Sequence, residues 1–228
     1  MNLTRAVKVL AIFIAVALAT TIAVAQAPAG GGQGGQGGPG RGGPGGPGGG
    51  AGGPGGGQGR GGGRGALTVT STGWPDGDVI PAKYVNAGDK KSPPFDLKWM
   101  MGTNEAMPPA TLQSYAIIFH DIENGPRGGE PDTLHWMAWD FPGTLKSIPE
   151  GLPMGDLPDG TKQAMSGIGR GAYFGPGAGP GPYHHYVFEF YALDTKLNLP
   201  NTATRAQVLM AMEGHVIGKA AYVGRYHQ

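Results

Sequence analysis

The sequence predicts a mainly all-β fold for its C-terminal part, and three observations carry that prediction. Gly and Pro punctuate residues 66–228 roughly every ten positions, as turns between short strands do. The apolar runs between them are short and rich in β-branched and aromatic residues. One segment alone, Thr202–His215, combines helical spacing with a capping residue.

The elements follow in order. "ALTVTST" (Ala66–Thr72) alternates and reads as an opening strand. "SYAIIFHD" (Ser114–Asp121) is too short for a helix and reads as a central strand. "LHWMAWDF" (Leu134–Phe141) and "HYVFEFYAL" (His185–Leu193) have the same character. In "TATRAQVLMAMEGH", Thr202 or Thr204 serves as N-cap, and Val208, Leu209 and Met212 have helical spacing. His215 ends that helix, where a cation is favoured. "AAYVGRY" (Ala220–Tyr226) closes the fold. Trp136, Trp139 and Tyr191 are assigned to the core.

Two segments precede this domain. Residues 1–25 read as a secretory signal: Arg5 and Lys8 precede the apolar run Val9–Ala19, and Ala23-Val24-Ala25 offers a cleavage site. Export to the periplasm or medium, with cleavage after Ala25, is the expectation; an uncleaved membrane anchor is the alternative. A Gly/Pro-rich spacer covers 26–65, and it should stay disordered. Of residues 27–65, 25 are Gly and 5 are Pro, and nothing there offsets the entropy of ordering. Such a coil spans about 35 Å root-mean-square. Its three arginines, Arg41, Arg60 and Arg64, form a weak patch, so a solvated spacer is preferred over an arm that touches cell-wall polymer, anionic lipid or RNA.

Composition excludes several chemistries. There is no Cys, so disulfides, thiol catalysis and thiolate metal sites are absent. The net charge of +1 conceals an asymmetry: all 16 acidic residues lie in 66–228 against 12 of the 17 basic ones, giving that domain −4. A mildly acidic domain argues against nucleic acid as a partner.

Strand parity brings candidate residues together. His184 and Tyr186 share a face with Phe188 and Phe190, while His185 points the other way. Asp121, His135, His184 and Tyr186 all sit at strand–loop junctions, where a rigid sheet presents polar groups to a loop rim.

Five motifs in order carry a resemblance: "SPPFDLKW" (Ser92–Trp99), Asp121-Ile122-Glu123, "HWMAWDFP" (His135–Pro142), Gly175-Pro176 with "HHY" (His184–Tyr186), and "AMEGHVIGKAAYVGRY" (Ala211–Tyr226). Together they resemble the phosphatidylethanolamine-binding protein family, in particular its bacterial, Raf-kinase-inhibitor-like branch. The resemblance implies a β-fold of two antiparallel sheets with a short C-terminal helix. It also implies a small pocket for phosphate-type anions, whose motifs fall on Asp121, His135, Gly175, Pro176, His184 and Tyr186. The acidic motif departs from the family's usual Asp-Pro-Asp, and "GPGAGPGPY" carries fewer prolines than usual.

The same residues make chemical sense by themselves. Glycine-rich turns aim backbone N–H groups into a concavity, and a cis peptide before Pro176 or Pro182 would shape the loop. Tyr186, His135 and His184 can donate to an oxyanion. Asp121 repels one, unless it accepts from His135 or His184 and keeps that ring cationic, or receives an ammonium. The ligand is then zwitterionic or singly charged. The leading expectation is an exported, non-enzymatic binding protein for a phosphorylated small molecule or lipid head group, with no cofactor. The alternatives are a phosphoester hydrolase using His135 or His184 with Asp121, a metal site on His135, His184 and Asp121, and an inhibitor-like interaction protein presenting the loop "IENGPRGGEPDT". The hydrolase lacks a nucleophile motif; Ser114 and Ser166 are the nearest candidates. A homodimer is left open.

Overall fold

The computed structural model describes residues 65–125 and 132–228. The signal segment, the spacer up to residue 64 and residues 126–131 of the candidate interaction loop lie outside the described residues.

The chain runs through β1 (Ala66–Thr70), β2 (Phe95–Met101), β3 (Asn104–Ala106), β4 (Ser114–Asp121) and β5 (Thr133–Pro142). It continues through β6 (Ser147–Ile148), β7 (Lys162–Gln163), β8 (His184–Leu193), α1 (Arg205–Met212) and β9 (Val216–Tyr226). Two antiparallel sheets result. The smaller has the order β1-β2-β3, with β6 also paired to β2; the larger has the order β7-β5-β4-β8-β9.

The sheets meet through aromatic residues. Phe95 of the smaller sheet lies 4.9 Å, centroid to centroid, from both Phe188 and Phe190 of the larger. Phe188 stacks on Phe119 at 3.8 Å. All four rings are buried, and each contributes roughly 1.5–3 kcal/mol relative to exposure, so this face dominates sheet-on-sheet packing. A second core lies on the far side of the larger sheet, where Ala116, Ile118, Met137 and Trp139 meet Val208 and Met212 of α1. Strands β4 and β5 are therefore covered on both faces, which is why their sequences read as continuous apolar runs.

Of the two N-cap candidates the structure takes Thr204, and other details differ from expectation. The helix is capped by Thr204, whose hydroxyl accepts from Gln207 N–H while the Gln207 side chain accepts from Thr204 N–H. It has eight residues. Val208 and Met212, one turn apart, face the sheet; Leu209 sits a further 100° round and is exposed. His215 lies beyond the helix, which ends at Met212, and pairs with Asp194 at 2.8 Å rather than with the helix end. The last strand starts at Val216, four residues before the expected Ala220. No peptide bond among the described residues is cis, those before Pro176 and Pro182 included.

Candidate functional site

One end of the larger sheet gathers the polar residues. Asp121 ends β4, His135 is the third residue of β5, and His184 begins β8. In register, Asp121 lies opposite Tyr186 on one side and Thr133 on the other. Parity places Tyr186 inward with Phe188 and Phe190, as the alternation predicts. His185 faces away and is held by Glu123: its Nδ1 lies 2.7 Å from Oε1, and its backbone N–H donates to Oε2 at 2.7 Å.

The loop Phe174–Gly179 folds over this end, and a hollow of about 320 Å³ remains. Asp121, His135, His184 and Tyr186 line it, joined by Asn86, Asn124, Ile168, Phe174 and Gly177–Gly179. Gly175 and Pro176 are buried behind the wall. A Cβ on Gly175 would stand 2.3 Å from the Tyr84 carbonyl oxygen, so glycine is needed there for close backbone approach to another loop. The Pro176 carbonyl accepts from Asn86 N–H at 2.8 Å, which ties the two loops together.

Each side chain has a defined partner. Asp121, 1 % exposed, accepts from the N–H groups of Glu123 and Asn124 at 3.1 Å each, a turn that ends the strand. Its other oxygen faces His184 Nδ1 at 2.8 Å. His135 turns the other way, and its Nδ1–H donates to the Phe174 carbonyl at 3.0 Å. Burial pushes the His135 pKa below the usual histidine value, against weaker upward pulls from the Phe174 carbonyl and Asp121. The expectation that Asp121 keeps the histidines cationic thus fails for His135: desolvation outweighs the carboxylate, which is paired to His184.

Tyr186 is fully buried, and its phenol oxygen accepts from Ala178 N–H at 3.1 Å and from Gly177 N–H at 3.3 Å. Two loop amides expected to face a ligand are therefore spent on the phenol. Burial, with Asp121 nearby, pushes the Tyr186 pKa well above its usual value, so the group stays protonated. An O–H whose oxygen already accepts two N–H bonds is polarised and becomes a stronger donor.

The alternative chemistries find less support here. Ser114 donates to the Thr195 carbonyl and Ser166 to the Ala203 carbonyl, and neither lines the hollow. A ligand atom each from Asp121, Glu123 and His184 comes within 4.8 Å of the others; His135 is not in that group. All three are already engaged in the hydrogen bonds above.

Trp136, Trp139 and Tyr191 are buried, as assigned to the core. Gly177–Gly179 belong to the glycine-rich loop the sequence singles out, whereas Asn86 and Asn124 have no sequence signal of their own; the tie between Asn86 and Pro176 is visible only in three dimensions.

The comparisons agree with this architecture. The family model described as phosphatidylethanolamine-binding protein matches residues 70–227. The chain belongs to the phosphatidylethanolamine-binding protein family. A UPF0098 protein of Methanothermobacter thermautotrophicus is 37% identical over 150 residues, covering 65% of this chain and 91% of the relative. A UPF0098 protein of Pyrococcus horikoshii is 34% identical over 173 residues, covering 74% and 81%. Among solved structures, a putative phosphatidylethanolamine-binding protein homolog from Chlamydia trachomatis superposes with a TM-score of 0.60 at 28% identity, covering 72% of this chain and 98% of that one. The E. coli family member YbcL superposes at 0.59 with 23% identity, a likeness of fold.

Proposed function

We propose that this family member is an exported, non-enzymatic binding protein that seats a small phosphate-type oxyanion, a phosphoester or a phospholipid head group, in the hollow. The observation that carries the reading is the grouping of a protonated phenol, two imidazoles and a carboxylate around one space of about 320 Å³. Tyr186 donates to the oxyanion. Asp121 is compensated by His184 and two backbone amides, so it costs a bound anion less than a free carboxylate would. The remaining negative character favours a singly charged or zwitterionic ligand, in keeping with the family's name. Export rests on residues 1–25 and the spacer reading on 26–65.

Isothermal titration of the purified chain with inorganic phosphate and with phosphoethanolamine tests this. The expected result is saturable one-to-one binding, weakened by about tenfold or more in His184→Ala, the loss of one good polar contact. A flat titration with both ligands, or release of product from a phosphoester panel, overturns it.

A further inference from the structure

The chain enters the described domain at an apolar groove. Gly65 lies against the groove wall, where a bare Cβ on it would stand 3.3 Å from the Ala106 methyl. The groove, about 460 Å³, is lined further by Met101, Met107 and Ile217, with Ala, Pro and one Thr making up the rest. No charged side chain among the described residues lines it. Met107 is 86% exposed and Met101 53%, and Val216, beside Ile217, is exposed as well. Two long thioether side chains held in water contribute nothing to the core. Exposed apolar patches of this kind mark contact surfaces, and Met adapts to irregular partners.

The sequence leading into the groove is basic. Every charged residue before Gly65 is Arg or Lys: Arg5, Lys8, Arg41, Arg60 and Arg64. Arg60 and Arg64 stand five and one residues before Gly65, and five extended residues span at most about 17 Å, so neither can leave the neighbourhood of the groove. Three arginines alone favour a solvated spacer. Joined to a groove with exposed thioethers, they put two membrane-binding signals in one place. A wall polymer or RNA would engage the arginines and leave the thioethers in water. An apolar protein patch would cover the thioethers and leave the arginines unpaired. The interface of an anionic bilayer takes both, the methionines among its acyl chains and the arginines among its head groups. We propose that the groove and its basic arm dock the exported protein on the surface of an anionic lipid bilayer. The net −4 of residues 66–228 opposes such a surface elsewhere on the domain, which fixes the side that meets lipid.

This contact lies far from the hollow. His184 and Tyr186 pair with Tyr226 and Gly224 at the end of β9, whereas Ile217 is near its start. Ile217 and Tyr226 are nine residues apart on that strand, about 30 Å. Docking therefore leaves the hollow free, and the proposal does not depend on what the hollow binds.

Co-sedimentation tests it. The processed chain, Gln26 onward, is mixed with vesicles of phosphatidylglycerol and phosphatidylcholine in equal parts, and with vesicles of phosphatidylcholine alone. Starting at Gln26 keeps the apolar run of the signal out of the measurement. Saturable binding to the anionic vesicles, about tenfold or more tighter than to phosphatidylcholine and weakened by salt, is the expected result. Met101→Ser with Met107→Ser should lower it about tenfold or more, with melting temperature and phosphate titration unchanged. Arg60→Gln with Arg64→Gln should lower it about 25-fold, about fivefold for each arginine, and remove most of the salt dependence. Absent binding, or equal binding to both vesicles, overturns the proposal. So does binding indifferent to the methionines, which would belong to the arm alone. Binding lost in His184→Ala would place the lipid in the hollow and also overturn it. A dimer in light scattering that the methionine variant disperses, without vesicle binding, would show that a second copy covers the groove instead. A flat phosphate titration beside intact vesicle binding overturns the oxyanion reading and leaves this one standing.

Discussion

Tyr186→Phe removes one oxygen and leaves the ring in place. In the native protein that oxygen accepts from Ala178 N–H at 3.1 Å and Gly177 N–H at 3.3 Å. Gly177 is exposed, so its amide turns to water in the variant. Ala178 is 7% exposed, and its amide loses its acceptor without replacement. One orphaned buried donor costs about 1–3 kcal/mol. The ring keeps its edge contact with His135, at 5.2 Å and 90°, so no packing loss adds to this. The expected destabilisation is therefore about 1–2 kcal/mol, near the low end because burying the phenol itself was unfavourable. Urea denaturation should show a lower midpoint with an unchanged slope. Melting temperature should fall by about 2–4 °C per kcal/mol for a domain of this size. Hydrogen exchange at the Ala178 amide should accelerate. Tyr183→Phe, at an exposed position, is the control and should be neutral. A Tyr186→Phe variant within about 0.5 kcal/mol of wild type, the range of innocuous surface changes, would refute the phenol's role as anchor of the loop.

Three further outcomes are expected. Gly175→Ala should destabilise by about 3 kcal/mol, because the new methyl meets backbone at 2.3 Å from Tyr84 O and 2.7 Å from Val85 C, which cannot step aside; urea denaturation measures it. His135 has a folded pKa below its unfolded value, so the unfolded chain binds more protons between the two. Stability should rise with pH through that window and fall as pH drops below about 6.5, and His135→Gln should flatten the profile. Burial pushes the Asp132 carboxyl up, but Arg205 and His120 hold it below the usual range on balance. Arg205→Met should cost about 3 kcal/mol at neutral pH by leaving that buried carboxylate half-paired, with the penalty shrinking in acid as Asp132 protonates.

The legibility of the fold varied with how locally each element is determined. Strands β4, β5 and β8 announce themselves, since ten or fewer apolar, β-branched and aromatic residues between turn signals leave little alternative. Strand β2 carries a readable alternation, with Phe95, Leu97 and Trp99 inward and Lys98 outward, yet the prolines before it and the methionines after it blur its ends. The pairs Ser147–Ile148 and Lys162–Gln163 have no local pattern, and their strand character comes from the partner they meet. At the site, parity alone put His184 and Tyr186 on one face and His185 on the other. It could not show that Asp121 would choose His184 over His135. That choice follows from the Phe174 carbonyl, which captures the His135 ring from a loop 39 residues away. Nor could it show that the glycine-rich loop would spend its amides on Tyr186.

The most direct measurement is a ¹H–¹⁵N and imidazole NMR titration of the chain with phosphate. Saturable shifts confined to Asn86, the Gly177–Gly179 amides and the rings of His135 and His184 are the predicted result. Shifts that never saturate, or that map to a surface away from these residues, would contradict the assignment of this hollow as the ligand site.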